Sequence, residues 1–214
     1  RDPASGRASG GGRLPYRTLT SPTRVLESPA HSAYDKYSRA VKDIQIRPAT
    51  SADFDAMWHI FSAHVAAGET YPFPLETTRE VVQAYWFAQG VTSRVAVLGE
   101  RVLGMYRVVP NQLGRGRHVA NASYMVSPTA QGVGVGRLLG EHSLVEARGL
   151  GYLAMQFNYV VSTNAAAVML WKKLGFSIVG TLPKAFRHKR LGYVDAYVMY
   201  QLLQDPDHWP TADE

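Results

Sequence analysis

Val126-Ser127-Pro128-Thr129-Ala130-Gln131-Gly132-Val133-Gly134-Val135-Gly136-Arg137 decides the reading of this chain. A strand-like run, Val119 to Val126, leads into it. A helical run leads out, with Leu138, Leu139, His142 and Val145 at helical spacing. Glycines let a backbone turn tightly and bring successive N–H groups to bear on one anion. A helix N-terminus adds partial positive charge, so a pyrophosphate is the expected guest of the Gln131–Arg137 backbone. Arg137 could add a charge-assisted contact. Two rival phosphate loops fail on single residues. A Walker loop needs Lys-Ser/Thr after its last glycine, and Arg137-Leu138 stand there; a dinucleotide fingerprint needs a third glycine where Arg137 or Leu139 stands. On these residues alone, a purely structural turn stays open.

Upstream, Ile44-Gln45-Ile46 alternates as a strand does, with Pro48 as its stop. Ser51 is placed to cap a helix running to Gly68, with Phe54, Met57, Trp58, Phe61 and Val65 on its apolar side. Glu69 to Leu75 (ETYPFPL) is a loop by its prolines. Thr77 or Thr78 caps a second helix to about Gln89, and Gly90 stops it. Strands follow at Arg94–Leu98 and Val102–Val109, joined by a turn at Gly99-Glu100-Arg101. Downstream, Tyr152 to Val161 is a buried strand. Ala167, Leu170, Trp171 and Leu174 stripe a helix ended by Gly175, and Phe176–Val179 and Ala196–Leu203 are the last strands. The order is βααβββαβαββ, a mixed-sheet α/β domain.

With 214 residues, 46% hydrophobic and 19% charged, the chain has the make-up of one globular domain. The expected division is a basic leader over 1–43, flexible or packed as an arm, a domain over 44–204, and a tail over 205–214. No apolar run approaches the roughly 20 residues that cross a bilayer, and no secretory pattern is present. The absence of cysteine excludes disulfides, cysteine-ligated metals and a cysteine nucleophile. Residues 1–43 hold eight Lys/Arg against four Asp/Glu, whereas the other residues hold 15 against 13. The positive excess of +6 therefore sits mostly in the leader and reads as a solvated tail, not a folded nucleic-acid footprint. Expectations are a cytoplasmic protein with no nucleic-acid partner, no membrane and no metal.

Met125 to Gly136 resembles the acetyl-CoA signature of the GNAT N-acetyltransferases: a strand, V-x-P, then Q/R-x-x-G-x-G/A. Asn164, Ala167, Leu170-Trp171-Lys172-Lys173 and Leu174-Gly175-Phe176 are similar to the second GNAT signature, N-x-x-A-x-x-L-Y-x-K-x-G-F. The resemblance covers about residues 44–203. It implies a mostly antiparallel sheet whose central strands splay, with the thioester of acetyl-CoA in the wedge. The Val126 N–H would hold the acetyl carbonyl, the backbone of Gln131, Gly132, Val133, Gly134, Val135, Gly136 and Arg137 the pyrophosphate, and Asn164 the pantetheine arm. Asn164 would also suit a helix N-cap. Where the signature carries Tyr, a proton donor to the thiolate, this chain carries Trp171. Indole is a very poor acid, so Trp171 reads as core and the thiolate leaves without a protein acid.

No general base stands out. Glu69, in the loop that often lines the GNAT acceptor site, and His118 are candidates, while His64 and His142 read as core or surface residues. Asn121-Ala122-Ser123-Tyr124-Met125-Val126 and Phe157-Asn158-x-Val160-x-x-Thr163-Asn164 resemble the fungal GNAT enzymes that detoxify proline analogues. That likeness implies Asn121 and Asn158 as catalytic and substrate-binding residues, aided by the Tyr159 N–H. Glu69 and Tyr71 complete the expected acceptor site. The implied activity is acetyl transfer to the amino group of a small molecule, an amino or imino acid or toxic analogue. Transfer would be direct, in a ternary complex. A protein or peptide acceptor and a non-catalytic acyl-CoA sensor are the alternatives, and a homodimer stays open.

Overall fold

The computed structural model describes residues 43–210. The leader up to residue 42 and the last four residues of the tail lie outside the described residues. The elements are β1 (Gln45–Pro48), α1 (Phe54–Ala67), α2 (Arg79–Phe87), β2 (Thr92–Leu98), β3 (Arg101–Pro110), β4 (Val119–Val126), α3 (Val135–Gly149), β5 (Ala154–Val161), α4 (Ala165–Lys173), β6 (Ser177–His188) and β7 (Gly192–Leu202). The expected order βααβββαβαββ is the observed one.

These seven strands form a single sheet in the order β1-β2-β3-β4-β5-β7-β6. Every neighbouring pair is antiparallel except β4–β5. Alternation along the strands divides the core between the two sheet faces. On one face α1 and α2 pack Met57, Phe61, Val82 and Trp86 against Val95, Met105 and Met125. On the other, Val135, Leu139 and Leu144 of α3 and Trp171 of α4 meet Tyr106, Ala120, Met155 and Phe157.

Local departures from expectation have local causes. Pro48 lies inside β1, because β1 is an edge strand and a missing N–H there costs no ladder bond. Ser51 does not cap α1. Instead the Asp53 carboxylate accepts from the Thr50 N–H (2.8 Å) and hydroxyl (2.9 Å), and Arg47 forks onto it. α2 ends at Phe87, short of Gln89. On α3 the buried stripe is Val135, Leu139, Gly140, Ser143, Leu144 and Ala147, and Val145 points to solvent. The last two strands are much longer than Phe176–Val179 and Ala196–Leu203. Together they make a hairpin whose turn is Lys189-Arg190-Leu191. Its exposed outer residues and Pro183 carry no apolar alternation, which hides β6 from a periodicity reading.

Candidate active site

β4 and β5 pair only at Val119↔Ala154, Ala120↔Met155 and Asn121↔Gln156, then separate. Which backbone groups this leaves facing the gap follows from parity. Asn111 N–H donates to Val119 O (2.7 Å) and Ser127 N–H to Leu103 O (2.8 Å), so odd-numbered residues of β4 bond β3. The even-numbered residues face β5, as the Leu153 N–H on His118 O (2.9 Å) shows at the paired end. Tyr124 and Val126 therefore turn their N–H and C=O groups into the split.

Side chains from the α1–α2 region occupy three of these groups. The Tyr71 hydroxyl accepts from the Tyr124 N–H (3.1 Å) and donates to the Tyr124 carbonyl. Burial pushes the Tyr71 phenol well above its usual range, so it stays protonated. His64 Nε2–H donates to the Val126 carbonyl (2.8 Å), which fixes that ring's tautomer. The Val126 N–H is the remaining group on these two residues, and among the described residues no side chain claims it.

The split opens into a cleft of about 660 Å³ that passes through the sheet. On the α3/α4 side it is lined by Gln131, Gly132, Gly134, Gly136, Asn164 and Leu170. On the α1/α2 side its walls include His64, Glu69, Tyr71, Ser123 and Tyr159. The loop at the first end is built for an anion. Gly132 (φ 77°) and Gly134 (φ 85°) take left-handed conformations that side chains resist. In the turn that enters α3, the first N–H given to a backbone carbonyl is that of Leu138, on Gly134 O (3.1 Å). The preceding amides are left for a ligand at the N-terminus of a 15-residue helix. A cradle of free amides leading to one free strand N–H fits a diphosphate joined to an acyl-bearing arm.

The sequence-derived residues are distributed unevenly about this cleft. Val126, Gln131, the three glycines, Val135 and Asn164 line it. Asn164 Oδ1 also caps α4 by accepting from the Ala167 N–H (3.2 Å). Val133 packs on the core beneath the loop, and the exposed Arg137 guanidinium is turned onto Glu141 (2.7 Å). Glu69 and Tyr71 are on the wall, but the Glu69 carboxylate is held by Arg190 (2.6 Å).

Asn121 and Asn158 are not among the lining residues. Asn121 Nδ2–H donates to Gln156 O (3.1 Å), fastening the fork where the strands part. Asn158 sits at an irregularity where Phe157↔Met199 is followed by Val160↔Tyr197, so Asn158 and Tyr159 together oppose Val198. Its amide accepts from Gln156 Nε2–H and donates to Asn111 Oδ1, both at 2.7 Å. The two asparagines thus belong to a row of amides on the α1/α2 side of the sheet, beside the cleft.

Two of the histidines, His118 and His64, fall differently from expectation, whereas His142 falls as expected. His118 lies at the opposite end of β4, against Trp209 and the Arg115 carbonyl (3.2 Å), away from the cleft. His142 joins Tyr106, Glu146 and Arg94 in a network outside it. His64 stands on the cleft wall, and its partner is 62 residues away, a contact that helical spacing does not reveal. Trp171 is buried between Tyr124 (4.6 Å) and Phe157 (4.8 Å) and also lines the cleft.

A sheet split beside a helix-capped glycine loop defines an acetyl-CoA-dependent acetyltransferase. The chain belongs to the GNAT family of acetyltransferases, whose pattern matches residues 55–176. It is 30% identical over 173 residues to the N-acetyltransferase aca1 of Schizosaccharomyces pombe, covering 73% of this chain and 80% of that protein. A GCN5-related N-acetyltransferase from Kribbella flavida is 42% identical, with a TM-score of 0.74 over 76% of this chain and 99% of that one. The acetyltransferase yncA of Salmonella typhimurium, solved with its cofactor acetyl-CoA, is 25% identical with a TM-score of 0.70 over 79% and 98%. Among the described residues, no helix is long and apolar enough to cross a membrane.

Proposed function

We propose that this protein transfers the acetyl group of acetyl-CoA to the amino group of a small molecule, by direct attack in a ternary complex. The observation that carries the small-acceptor reading is a clasp across the α1/α2 end of the cleft. The Lys189 N–H donates to Gly68 O (2.9 Å), Lys189 Nζ–H to Ala66 O (3.2 Å), and Arg190 pairs with Glu69 (2.6 Å). The tip of the β6–β7 hairpin is thereby tied to the end of α1, and the Tyr71 hydroxyl ties the following loop to β4. A compact amine passes such a mouth more readily than an extended peptide.

Acetyl-CoA supplies an activated thioester when bound. The chain's contribution is positional. The Gln131–Arg137 amides anchor the diphosphate and Asn164 the pantetheine arm. The Val126 N–H meets the acetyl oxygen as negative charge grows on it. His64 keeps the adjoining carbonyl turned into the split, so this stretch of strand cannot rotate its N–H away. The amine nitrogen bonds to the acetyl carbon as the carbon–sulfur bond breaks. Ordered water takes the amine proton, and the thiolate leaves without a protein donor. Asn121 and Asn158 act from beside the cleft, holding the fork and the amide row against which the Tyr159 N–H, Glu69 and Tyr71 meet the acceptor. The site is compatible with a cytoplasmic protein that meets free amines.

The test is thiol release from acetyl-CoA across amino acids, imino acids, amine antibiotics and short peptides. Turnover of at least one small amine should exceed that of every peptide tenfold or more in kcat/KM. Asn121→Ala and Asn158→Ala should weaken acceptor use with acetyl-CoA binding kept. A peptide N-terminus as the best acceptor, or acceptor kinetics unmoved in both variants, would overturn the corresponding part of the reading.

A further inference from the structure

β5 and β6 flank β7, and each is irregular where it meets that strand. On β5, Asn158 and Tyr159 together oppose Val198. On β6, Leu182↔Ala196 is followed by Phe186↔Val194, so Pro183, Lys184 and Ala185 oppose Asp195 alone. Pro183 has no N–H to give the ladder, which lets β6 leave it there. The Tyr159 hydroxyl joins the two irregularities by donating to the Ala185 carbonyl. Two strand spacings of about 4.8 Å separate β5 from β6, so the phenol lies extended across β7. Val194, Ala196 and Val198 share one face of β7, and the short side chain of Ala196 leaves a crossing between two valines. At its far end the Tyr159 ring meets Phe186 edge-on (6.4 Å), and Phe186 meets His188 (6.3 Å).

The β6 irregularity is held under strain. Lys184 has φ 53°, the one left-handed non-glycine backbone among the described residues. Asp195 holds it there. Its Oδ1 accepts from the Lys184 N–H (2.9 Å), while its own carbonyl accepts from the Ser162 N–H just past β5 (2.9 Å). Strain of this kind persists only where the surroundings over-determine it, and bulges beside sites re-aim side chains. An exposed carbonyl such as that of Ala185 needs no protein donor, because water serves it nearly as well. What the bulge gains is a fixed position for Tyr159, which lines the cleft on the α1/α2 side. Both ends of that residue are then set, its backbone by the β5 bulge and its hydroxyl by the β6 bulge.

We propose that the Tyr159 ring is the wall that limits the bulk of the acceptor behind its amine, with Lys184 and Asp195 as positioning residues for it. This rests on the small-amine reading above, which uses only the Tyr159 N–H. An amine on a short aliphatic chain fits before such a wall, and one carrying a fused aromatic ring does not. Because its hydroxyl is tethered, the ring does not swing aside to admit the larger group.

The test is a graded series of primary amines, from ethylamine and butylamine to benzylamine and naphthylmethylamine, with thiol release from acetyl-CoA as readout. In the wild type kcat/KM should fall at least tenfold from butylamine to naphthylmethylamine. Tyr159→Ala should raise kcat/KM for naphthylmethylamine tenfold or more, chiefly through a lower KM, and leave butylamine within about threefold. Tyr159→Phe keeps the ring and loses the tether, so it should move the cut-off part of the way. Asp195→Ala should do the same, although Asp195 does not line the cleft. Lys184→Gly relieves the strain and should keep the wild-type cut-off. KM for acetyl-CoA should not change in any variant. A gain on a bulky amine is not produced by a damaged fold. Calorimetry of the same amines on the coenzyme A complex reads the cut-off without turnover. A graded wild-type series with the same cut-off in Tyr159→Ala would overturn the wall and leave the small-amine reading standing. A flat wild-type series would overturn that reading and the wall with it. A cut-off that moves in Tyr159→Ala and not in Asp195→Ala would remove Asp195 and Lys184 from the device.

Discussion

The Tyr71 hydroxyl holds both backbone polar groups of Tyr124, accepting from the N–H at 3.1 Å and donating to the carbonyl. A loop side chain therefore replaces the β5 strand that β4 loses beyond Asn121. Unpaired strand groups in a split sheet cost free energy, and one phenol offsets two of them.

Tyr71→Phe removes that replacement while keeping the ring that stacks near Phe73. Two strand groups then rely on cleft water, so stability should fall by about 1 kcal/mol, read from urea unfolding. The freed Tyr124 N–H becomes a second donor for an amide-bearing arm. Acetyl-CoA affinity, measured by calorimetry, should hold or tighten. A large loss of affinity would mean that Tyr71 contacts the cofactor directly.

His64→Ala should act on rate. The lost hydrogen bond to Val126 O is worth about 1 kcal/mol, which corresponds to roughly a fivefold fall in kcat if it is needed mainly as the transition state forms. KM for acetyl-CoA should stay within about twofold, because the loop proposed to hold the diphosphate lies on the other side of the sheet from this ring. A rise in KM with kcat unchanged would place His64 in binding only.

The contrast between Gln131–Arg137 and His64 marks where sequence reading runs out. The glycine turn between β4 and α3 is legible because its cause is local: glycines, a strand before, a helix after. Asn164 is legible for the same reason, a cap three residues from its acceptor's donor, Ala167. The split between β4 and β5 was reachable through family likeness alone. Nothing in an alternating strand says that its partner will leave after Asn121. His64, the Tyr159 ring and the Glu69–Arg190 pair are set by contacts between segments distant in the chain. Val145 is exposed because part of the buried stripe of α3 is made of small residues, Gly140, Ser143 and Ala147, where a count of large apolar residues looks elsewhere.

That small-residue face makes Gly140 a sensitive position. A Cβ there would stand 2.5 Å from Leu174 Cδ1 and 3.1 Å from Trp171 Cζ3. Leu174 can yield, but Trp171 is wedged between Tyr124 and Phe157. Gly140→Ala should force α3 and α4 apart and cost about 1–3 kcal/mol. α3 carries at its N-terminus the amides proposed to hold the diphosphate, and Asn164 caps α4. Acetyl-CoA affinity should therefore fall with stability, whereas Gly149→Ala, with open space around its Cβ, should change affinity little. Thermal unfolding with and without acetyl-CoA checks both.

The last expectation concerns acid. Asp53 is buried, and its carboxyl is lowered from 3.8 to about 2, first by the Arg47 hydrogen bonds and further by Thr50, against the opposing effect of burial. A carboxylate with a depressed folded pKa stabilises above its unfolded value and loses that contribution as pH falls through the folded one. The stabilisation should thus be complete at pH 5 and above, decline from about pH 4, and be gone below about pH 2. Its size is on the order of 1–2 kcal/mol, discounted because Arg47 is 42% exposed. Asp53→Asn should lower stability at pH 7 and flatten the acid limb of the urea-unfolding profile between pH 5 and pH 2. Parallel limbs in the two proteins would show that the Arg47–Asp53 fork contributes nothing to acid sensitivity.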